Sequence, residues 1–376
     1  MGTPSERGDG GGDTFGMIIP LPAPLQDEIL SSWIIRSALS HGTDPMGWSY
    51  GLWQDWRGWT RDIDREMPRE ILGKIARAGE MSIERIRSMT LKPLLIPLLG
   101  EASLHPTTGW DWVIPLGVRN RSRTNGLHFC PTCLSEPHPY APKQWRFSWN
   151  TICPKHGTQL VLSCPECGQV FSPHLIDYRR PHFYRCTRCG YDLRKADAPV
   201  GNPQVLALQS YMNALAFNTP VPPSSYRLPV RRDDPKEFFA LVSDLHRFFI
   251  NFHKRKDRFS DVMETLNSPK EWEDFRRLPG EGFDRQPLEQ RHYWLLIISY
   301  VLTLDAEQFT ATLLREGVTQ NTMQIGNFPR SLTMKRVKKA LPYKEVRRKK
   351  GGSSVKFHIL STEEVEERMD AIRKFL

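Results

Sequence analysis

Seven cysteines and one histidine fall into four short pairs: Cys130-Pro-Thr-Cys133, Cys153-Pro-Lys-His156, Cys164-Pro-Glu-Cys167 and Cys186-Thr-Arg-Cys189. Thiolates and a neutral imidazole are the donors that zinc takes in tetrahedral sites, and two residues between donors is a recurrent spacing for them. Nineteen residues separate the first two pairs and eighteen the last two. Eight donors make two four-donor sets with nothing left over, so two structural Zn2+ per chain are expected. Pairing in sequence puts Cys130, Cys133, Cys153 and His156 in one set, and Cys164, Cys167, Cys186 and Cys189 in the other. An interleaved cross-brace would use the same donors. Each knuckle should turn backbone amides toward sulfur, and Gly157, Gly168 and Gly190 stand where the chain must leave it with positive φ.

Four protein donors close a coordination sphere, whereas a catalytic zinc keeps one position open. No other residues in the region suggest acid or base work. His128, His138, His174 and His182 repeat no donor spacing and read as surface or packing side chains. Asp62, Asp64 and Glu66 read as a solvated acidic stretch rather than a two-metal phosphoryl-transfer site. A Gly-x4-Gly-Lys-Ser/Thr phosphate loop is lacking. These readings weigh against a metal-dependent nuclease or recombinase and point to a non-catalytic protein.

The 376 residues carry 52 Lys+Arg against 42 Asp+Glu, a formal charge of +10. The segment from Arg330 to His358 holds eleven basic residues and one acid, Glu345, and so accounts for the whole excess. Such local density reads as a nucleic-acid footprint. An odd cysteine count without a secretion signal argues against a disulfide framework. The longest apolar runs, such as Leu94–Leu99 and Trp294–Leu302, are too short to span a membrane. The expectation is a soluble, cytoplasmic protein with no membrane partner.

The elements around these donors are mostly helical. Proline at 20, 22 and 24 keeps the run from Met17 extended. A helix follows at Asp27–Ser40 with Ile29, Leu30, Trp33, Ile34 and Ala38 on its apolar face and Glu28 in its first turn; His41-Gly42 ends it. Trp53, Trp56 and Trp59 are spaced to share one side of a short helix, with Trp48 just before. They read first as an aromatic core, and with Trp33 as candidates for partner docking. Helices are expected at Arg69–Ala78 and at Ser82–Met89, with Ser82 as N-cap. Pro93, Pro97, Pro106 and Pro115 should break the chain into loops.

Beyond the cysteines, helices are expected at Gln204–Phe217, Pro235–His253, Ser268–Arg277, Gln286–Thr303, Ala306–Glu316 (capped by Asp305, ended by Gly317) and Ser331–Ala340. Strands at Pro342–Val346 and Val355–Leu360 around Arg347-Arg-Lys-Lys-Gly-Gly352, then a capping box Ser361-x-x-Glu364, complete a winged-helix-like order. In that geometry Lys335, Arg336, Lys338 and Lys339 face a groove, while Arg347, Arg348, Lys349 and Lys350 grip phosphates. The fold class is therefore mainly α with small β zinc ribbons. It comprises a tail at 1–16, an N-terminal helical, helix-turn-helix-like domain at 17–127 and tandem zinc modules at 128–195. A helical domain at 196–304 and the basic winged-helix-like module at 305–376 follow.

The run Pro24-Leu-Gln-Asp-Glu28-Ile-Leu-Ser-Ser32-Trp33-Ile-Ile-Arg36-Ser-Ala38 resembles the N-terminal signature of the TniQ/TnsD family of transposon target-selection proteins. His128-Phe-Cys130-Pro-Thr-Cys133-Leu134, Trp145-Arg-Phe-Ser-Trp149, Cys153-Pro-Lys-His156-Gly157-x-x-Leu160 and Cys164-Pro-Glu-Cys167-Gly168 extend the resemblance to about residue 190. Ile29 departs from it, standing where the family usually has a small polar residue. The resemblance implies a protein that marks a target and recruits the AAA+ regulator TnsC, which brings the transposase. Some members ride on an RNA-guided Cascade complex, often as a homodimer, and others recognise an attachment site in duplex DNA directly. The length of this chain favours the Cascade-associated kind.

Overall fold

A computed structural model describes residues 20–343 except 55, 117, 120–121, 124–126, 229–233, 254–281 and 324–328. The N-terminal helices are α1 (Leu30–Ser40), α2 (Pro45–Trp53), α3 (Gly58–Arg61), α4 (Arg69–Ala78), α5 (Ile83–Ser88) and α6 (Lys92–Leu99). Helix α1 starts three residues later than its periodicity suggests. Asp27 has φ 55° and Glu28 bridges to Pro142, so Ile29 is the first residue able to cap it. Glu28 is thus not a first-turn acid. Its buried carboxylate accepts from Leu25 N and Ser32 Oγ and pairs with Arg36 at 2.6 Å. Burial pushes its pKa up, against the Leu25 amide and Arg36.

Ser82 caps α5 as expected, accepting from Arg85 N. The prolines at 93 and 97 do not break the chain: both lie in α6. Pro93 occupies the first turn, where a missing N–H costs nothing, whereas Pro97 lies inside the helix and forgoes the bond to the Pro93 carbonyl. The three tryptophans do not share a helix either. Helix α2 stops at Trp53 and α3 begins at Gly58. A Cβ at Gly58 would come within 2.8 Å of Trp56 and 2.9 Å of Trp53, so only glycine lets the chain turn back beneath the indoles.

A two-stranded hairpin, β1 (Val118–Arg119) and β2 (Ser122–Arg123), is the one pair of named strands among the described residues. The cysteine region from Leu127 to Val200 is built of turns joined by isolated antiparallel bridges, Phe129 to Val161, Ile152 to Gln159, Ser163 to Val170 and Arg185 to Asp192. The short helix α7 (Pro131–Leu134) interrupts it.

The last helices are α8 (Pro203–Phe217, capped by Asn202), α9 (Pro235–His253), α10 (Leu288–Leu302), α11 (Ala306–Arg315) and α12 (Leu332–Ala340). The Asp305 cap on α11 and Gly317 at φ 66° follow the sequence; Gln308 completes a capping box with Asp305, and Ser331, expected within the helix, caps α12 instead. Helices α8, α9 and α10 pack on one another and α6 lies against α8 and α9. One hydrophobic core therefore runs from Trp33 and Ile75 through Trp110, Trp145 and Trp149 to Phe238, Trp294 and Phe309. Helices α11 and α12 pack together in the helix-turn-helix order. The expected helix at 268–277, the two strands, their basic tip and the final helix lie outside the described residues. Among those described, no helix is long and apolar enough to cross a membrane.

Candidate metal centres and the buried charges around them

Three of the four knuckles are copies of one hydrogen-bonding pattern. Gly157, Gly168 and Gly190 donate their amides to Cys153 O, Cys164 O and Cys186 O, and all three have φ of 67–76°. The amides of Cys153, Cys164 and Cys186 in turn donate to Thr158, Gln169 and Tyr191 carbonyls, closing each loop as a tiny hairpin. The fourth pair differs: Leu134, not glycine, follows Cys133, and the chain runs on as α7 instead of turning back.

The folded knuckles bring the donors together in sequence order, not as a cross-brace. Donor atoms of Cys130, Cys133, Cys153 and His156 lie within 4.8 Å of one another, and so do those of Cys164, Cys167, Cys186 and Cys189. In the first set, His156 Nδ1 is 3.3 Å from Cys133 Sγ and 3.5 Å from both Cys130 and Cys153 Sγ; Cys133 and Cys153 sulfurs are 3.6 Å apart. In the second, Cys164–Cys189 and Cys167–Cys186 are each 3.6 Å. A tetrahedral ion with sulfur ligands at about 2.3 Å sets sulfurs about 3.8 Å apart, so both sets have the right edge length to hold a metal ion. The other ring nitrogen of His156 faces Glu136 at 3.7 Å, as an orienting carboxylate would. Without a cation the thiols cannot all ionise. Hydrogen bonds from Cys133 and Cys153 draw Cys130 far down, while the bond to Cys130 drives Cys133 up and holds Cys153 at about 11.

The first set is clamped to the helices that follow. Gln209 on α8 accepts from Thr151 N and Ile152 N and donates to Ile152 O, saturating the backbone just before Cys153. Asn213 accepts from Trp149 Nε1. From α10, buried Arg291 donates to Ser148 O at 2.6 Å, to Gln286 O and to His128 Nε2 at 3.1 Å. Burial pulls Arg291 down to about 10, which still leaves it charged at neutral pH, and with Arg291 beside it burial keeps His128 well below the ordinary histidine range.

Asp62 and Asp64 are not a solvated stretch. Arg146, fully buried, donates to Asp62 at 2.7 and 2.9 Å, to Asp64 at 3.0 Å and to Ile114 O. Asp64 also accepts from Ser31 N and Oγ, so one carboxylate joins α1 to the segment leading into Cys153. Burial works against the Arg146 charge, yet the two aspartates outweigh it and hold the guanidinium above its usual range. Burial raises the Asp64 carboxyl in spite of Arg146. Sequence inspection misses this triad because more than 80 residues separate its charges. The clue is the placement of Arg146 between two tryptophans that had to be buried.

Trp33, Trp53 and Trp59 are 0%, 4% and 4% exposed, so they pack in the core, as the aromatic-core reading expects. Trp33 Nε1 donates to Pro22 O, and Trp59 donates to Ser49 Oγ while stacking on His174 at 5.4 Å. Trp56 is half-buried and lines a cleft of about 850 Å³ with Met46, Tyr50 and Arg57. His128 and His174 are buried packing residues; His138 and His182 are not donors to either set.

On α12, Lys335, Arg336 and Lys339 are exposed and Lys338 half-buried, opposite the buried Thr333, Met334 and Val337. Two carboxylates of α9 hold this basic helix by its N-terminus. Asp244 accepts from the amides of Arg330 and Ser331 and from Ser331 Oγ, and Glu237 accepts from the amides of Leu332 and Thr333. Arg347, Arg348, Lys349 and Lys350 lie outside the described residues.

Residues 20–160 match the model of the TniQ family. The match begins before α1 and ends four residues past His156, so it contains the whole first donor set. No curated protein matches the chain.

Proposed function

We propose, for a chain that is a TniQ-domain protein, a role in choosing the target of DNA transposition. In the finer reading it is a non-catalytic adaptor. It links a target-recognition complex, RNA-guided Cascade, to a TnsC-like AAA+ ATPase and so to the transposase, with duplex DNA as a further contact and a homodimer as the assembled form. The observation that carries this reading is the TniQ match over a domain that is closed by its own four-donor set. Both sets would hold Zn2+ with all four positions filled by protein. Zinc bound there supplies folding free energy and fixes surfaces, while the chain's own residues make the contacts.

Affinity purification of the tagged protein from its host, with sequencing of bound RNA and identification of bound proteins, tests it. Guide RNA with Cascade subunits and a TnsC-like ATPase is the expected result. RNA-free protein with one enriched DNA site would instead support the second reading, a TnsD-like binder that recognises an attachment site directly. The exposed basic face of α12 favours keeping that reading. Replacing Arg347–Lys350 with alanine separates the two. An adaptor loses DNA contact but keeps Cascade; a direct binder loses target choice altogether.

A further inference from the structure

The second four-donor module carries a charge pattern that the chain-wide sum conceals. Between residues 177 and 195 stand Arg179, Arg180, Arg185, Arg188, Arg194 and Lys195, against Asp177 and Asp192 alone. All six cations are exposed. The fold gathers Arg180, Arg185, Arg188 and Arg194 around the last knuckle, and Arg179 and Lys195 flank them in sequence. Arg188 lies within it, and Arg185 Nη1 donates to Gly190 O at 3.0 Å. Arg180 Nη1 lies beside Gly190, 3.7 Å from where a Cβ would stand, an ordinary contact distance. Arg194 lies over the Tyr184 ring at 3.8 Å, beside Arg185 at 5.9 Å.

Neither acid neutralises the group. Asp192 is taken by Arg194 at 2.7 Å, and Asp177 accepts the Arg179 amide in its own turn. Arg179, Arg180, Arg185, Arg188 and Lys195 are in no ion pair among the described residues. Five of the six are arginines, whose planar fork suits bidentate contact with phosphate. A plain counter-charge for a four-thiolate zinc site would need only the cations bonded to the knuckle. Among the described residues, the side chains of Arg179 and Lys195 make no hydrogen bond or ion pair with it, and that of Arg188, though within it, makes none either.

We infer that this face of the second metal module, centred on Arg179, Arg188 and Lys195, is a second binding surface for the phosphate backbone of duplex DNA. Single-stranded nucleic acid is gripped by stacking bases on open aromatic faces. Here both faces of the Tyr184 ring are used, by His182 stacked at 5.1 Å and by Arg194, and Arg179 lies over one face of Tyr178, which is 50% exposed. An exposed knuckle with six cations and a single half-exposed tyrosine reads phosphates rather than bases.

The test is fluorescence anisotropy of a labelled mixed-sequence DNA duplex of about three helical turns, titrated with the zinc-loaded full chain across a KCl series. Removing three phosphate contacts in the R179A/R188A/K195A variant should flatten the slope of log K against log salt by about 2 to 3 and weaken binding at least tenfold at low salt. Zinc content should stay as in the parent. The R77A/R85A/R87A variant removes three exposed cations of α4 and α5 and should leave the slope alone. An unchanged slope in the first variant, an equal flattening in the second, or tighter binding of a single-stranded oligouridylate than of the duplex would overturn the inference. It rests on the proposed role only for the choice of DNA as ligand. If purification returns neither Cascade nor a TnsC-like ATPase, the anisotropy result stands by itself. The Arg347–Lys350 substitution in the same assay reads the C-terminal segment separately.

Discussion

The two donor sets begin from nearly the same sequence pattern and end in different places. In the first, Cys130 and Cys153 are 0% and 1% exposed and the flanking backbone is bonded to α8 and α10. In the second, Cys189 is exposed, and the turns carrying Cys186 and Cys189 bond chiefly to their own module. The second set meets the core through Phe171, packed on Phe129 and Trp145, and His174, packed on Trp59, and its Cys164 and Cys186 are buried, but no side chain of the C-terminal helices is hydrogen-bonded to its knuckles among the described residues. The lesson is that donor spacing specifies a site but not its weight. Where polar clamps and buried charges surround the knuckles, the metal becomes part of the global fold. Where they are missing, the module is a surface fixture whose exterior is free for contacts.

The largest effect should follow from Cys153→Ala. Structural zinc contributes about 10–16 kcal/mol in small isolated sites, comparable to the whole stability of a domain. This variant should lose one zinc and its cooperative thermal transition by circular dichroism; retention of a sharp melt would show that the first site is dispensable. Arg146→Ala comes next. It strands Asp62 and Asp64 in the core and should cost about 3–5 kcal/mol in urea unfolding, with D62N/D64N in the same chain recovering part of the loss. A cost below about 1 kcal/mol would mean the triad is not buried as described.

A smaller effect belongs to His246, which is buried against Phe283 and Trp294 and pushed by burial down to about 3. Its folded pKa is below the unfolded value, so the unfolded state binds more protons in between. Stability is full above about pH 6.5 and falls as pH drops toward 3, by about 2 kcal/mol at pH 5. The His246→Gln variant should flatten that part of the pH profile, and a parallel profile would refute the assignment. Smallest in global terms is Cys186→Ala. One zinc should be lost while the helical melt stays within about 3 °C of the parent. A collapse like that of Cys153→Ala would erase the distinction between the sites.

Much of this was legible in the sequence because it is local. The four donor pairs, the knuckle glycines and the caps at Ser82 and Asp305 are each decided within a few residues. The expected Asp27 helix start failed at a backbone detail, the positive φ of Asp27, and Pro97 was read as a breaker though it lies inside α6. Trp53, Trp56 and Trp59 had helical spacing, but tertiary packing around Gly58 overrode it. What could not be read was long-range. Nothing local says that Asp62 and Asp64 await Arg146, that Arg291 reaches Ser148, or that Asp244 and Glu237 cap the basic helix. The arginines of the second module were hidden by arithmetic, since acids elsewhere in the chain cancel them in any sum taken over the whole.

The most direct test of the unequal pair is a chelator titration of the purified protein, following zinc released per chain alongside the helical circular dichroism signal. Two zinc ions are predicted, the first leaving with the helical signal intact and the second leaving only as the helices melt. Release of both in one step with loss of helix, or a normally folded chain holding fewer than two, would contradict the account.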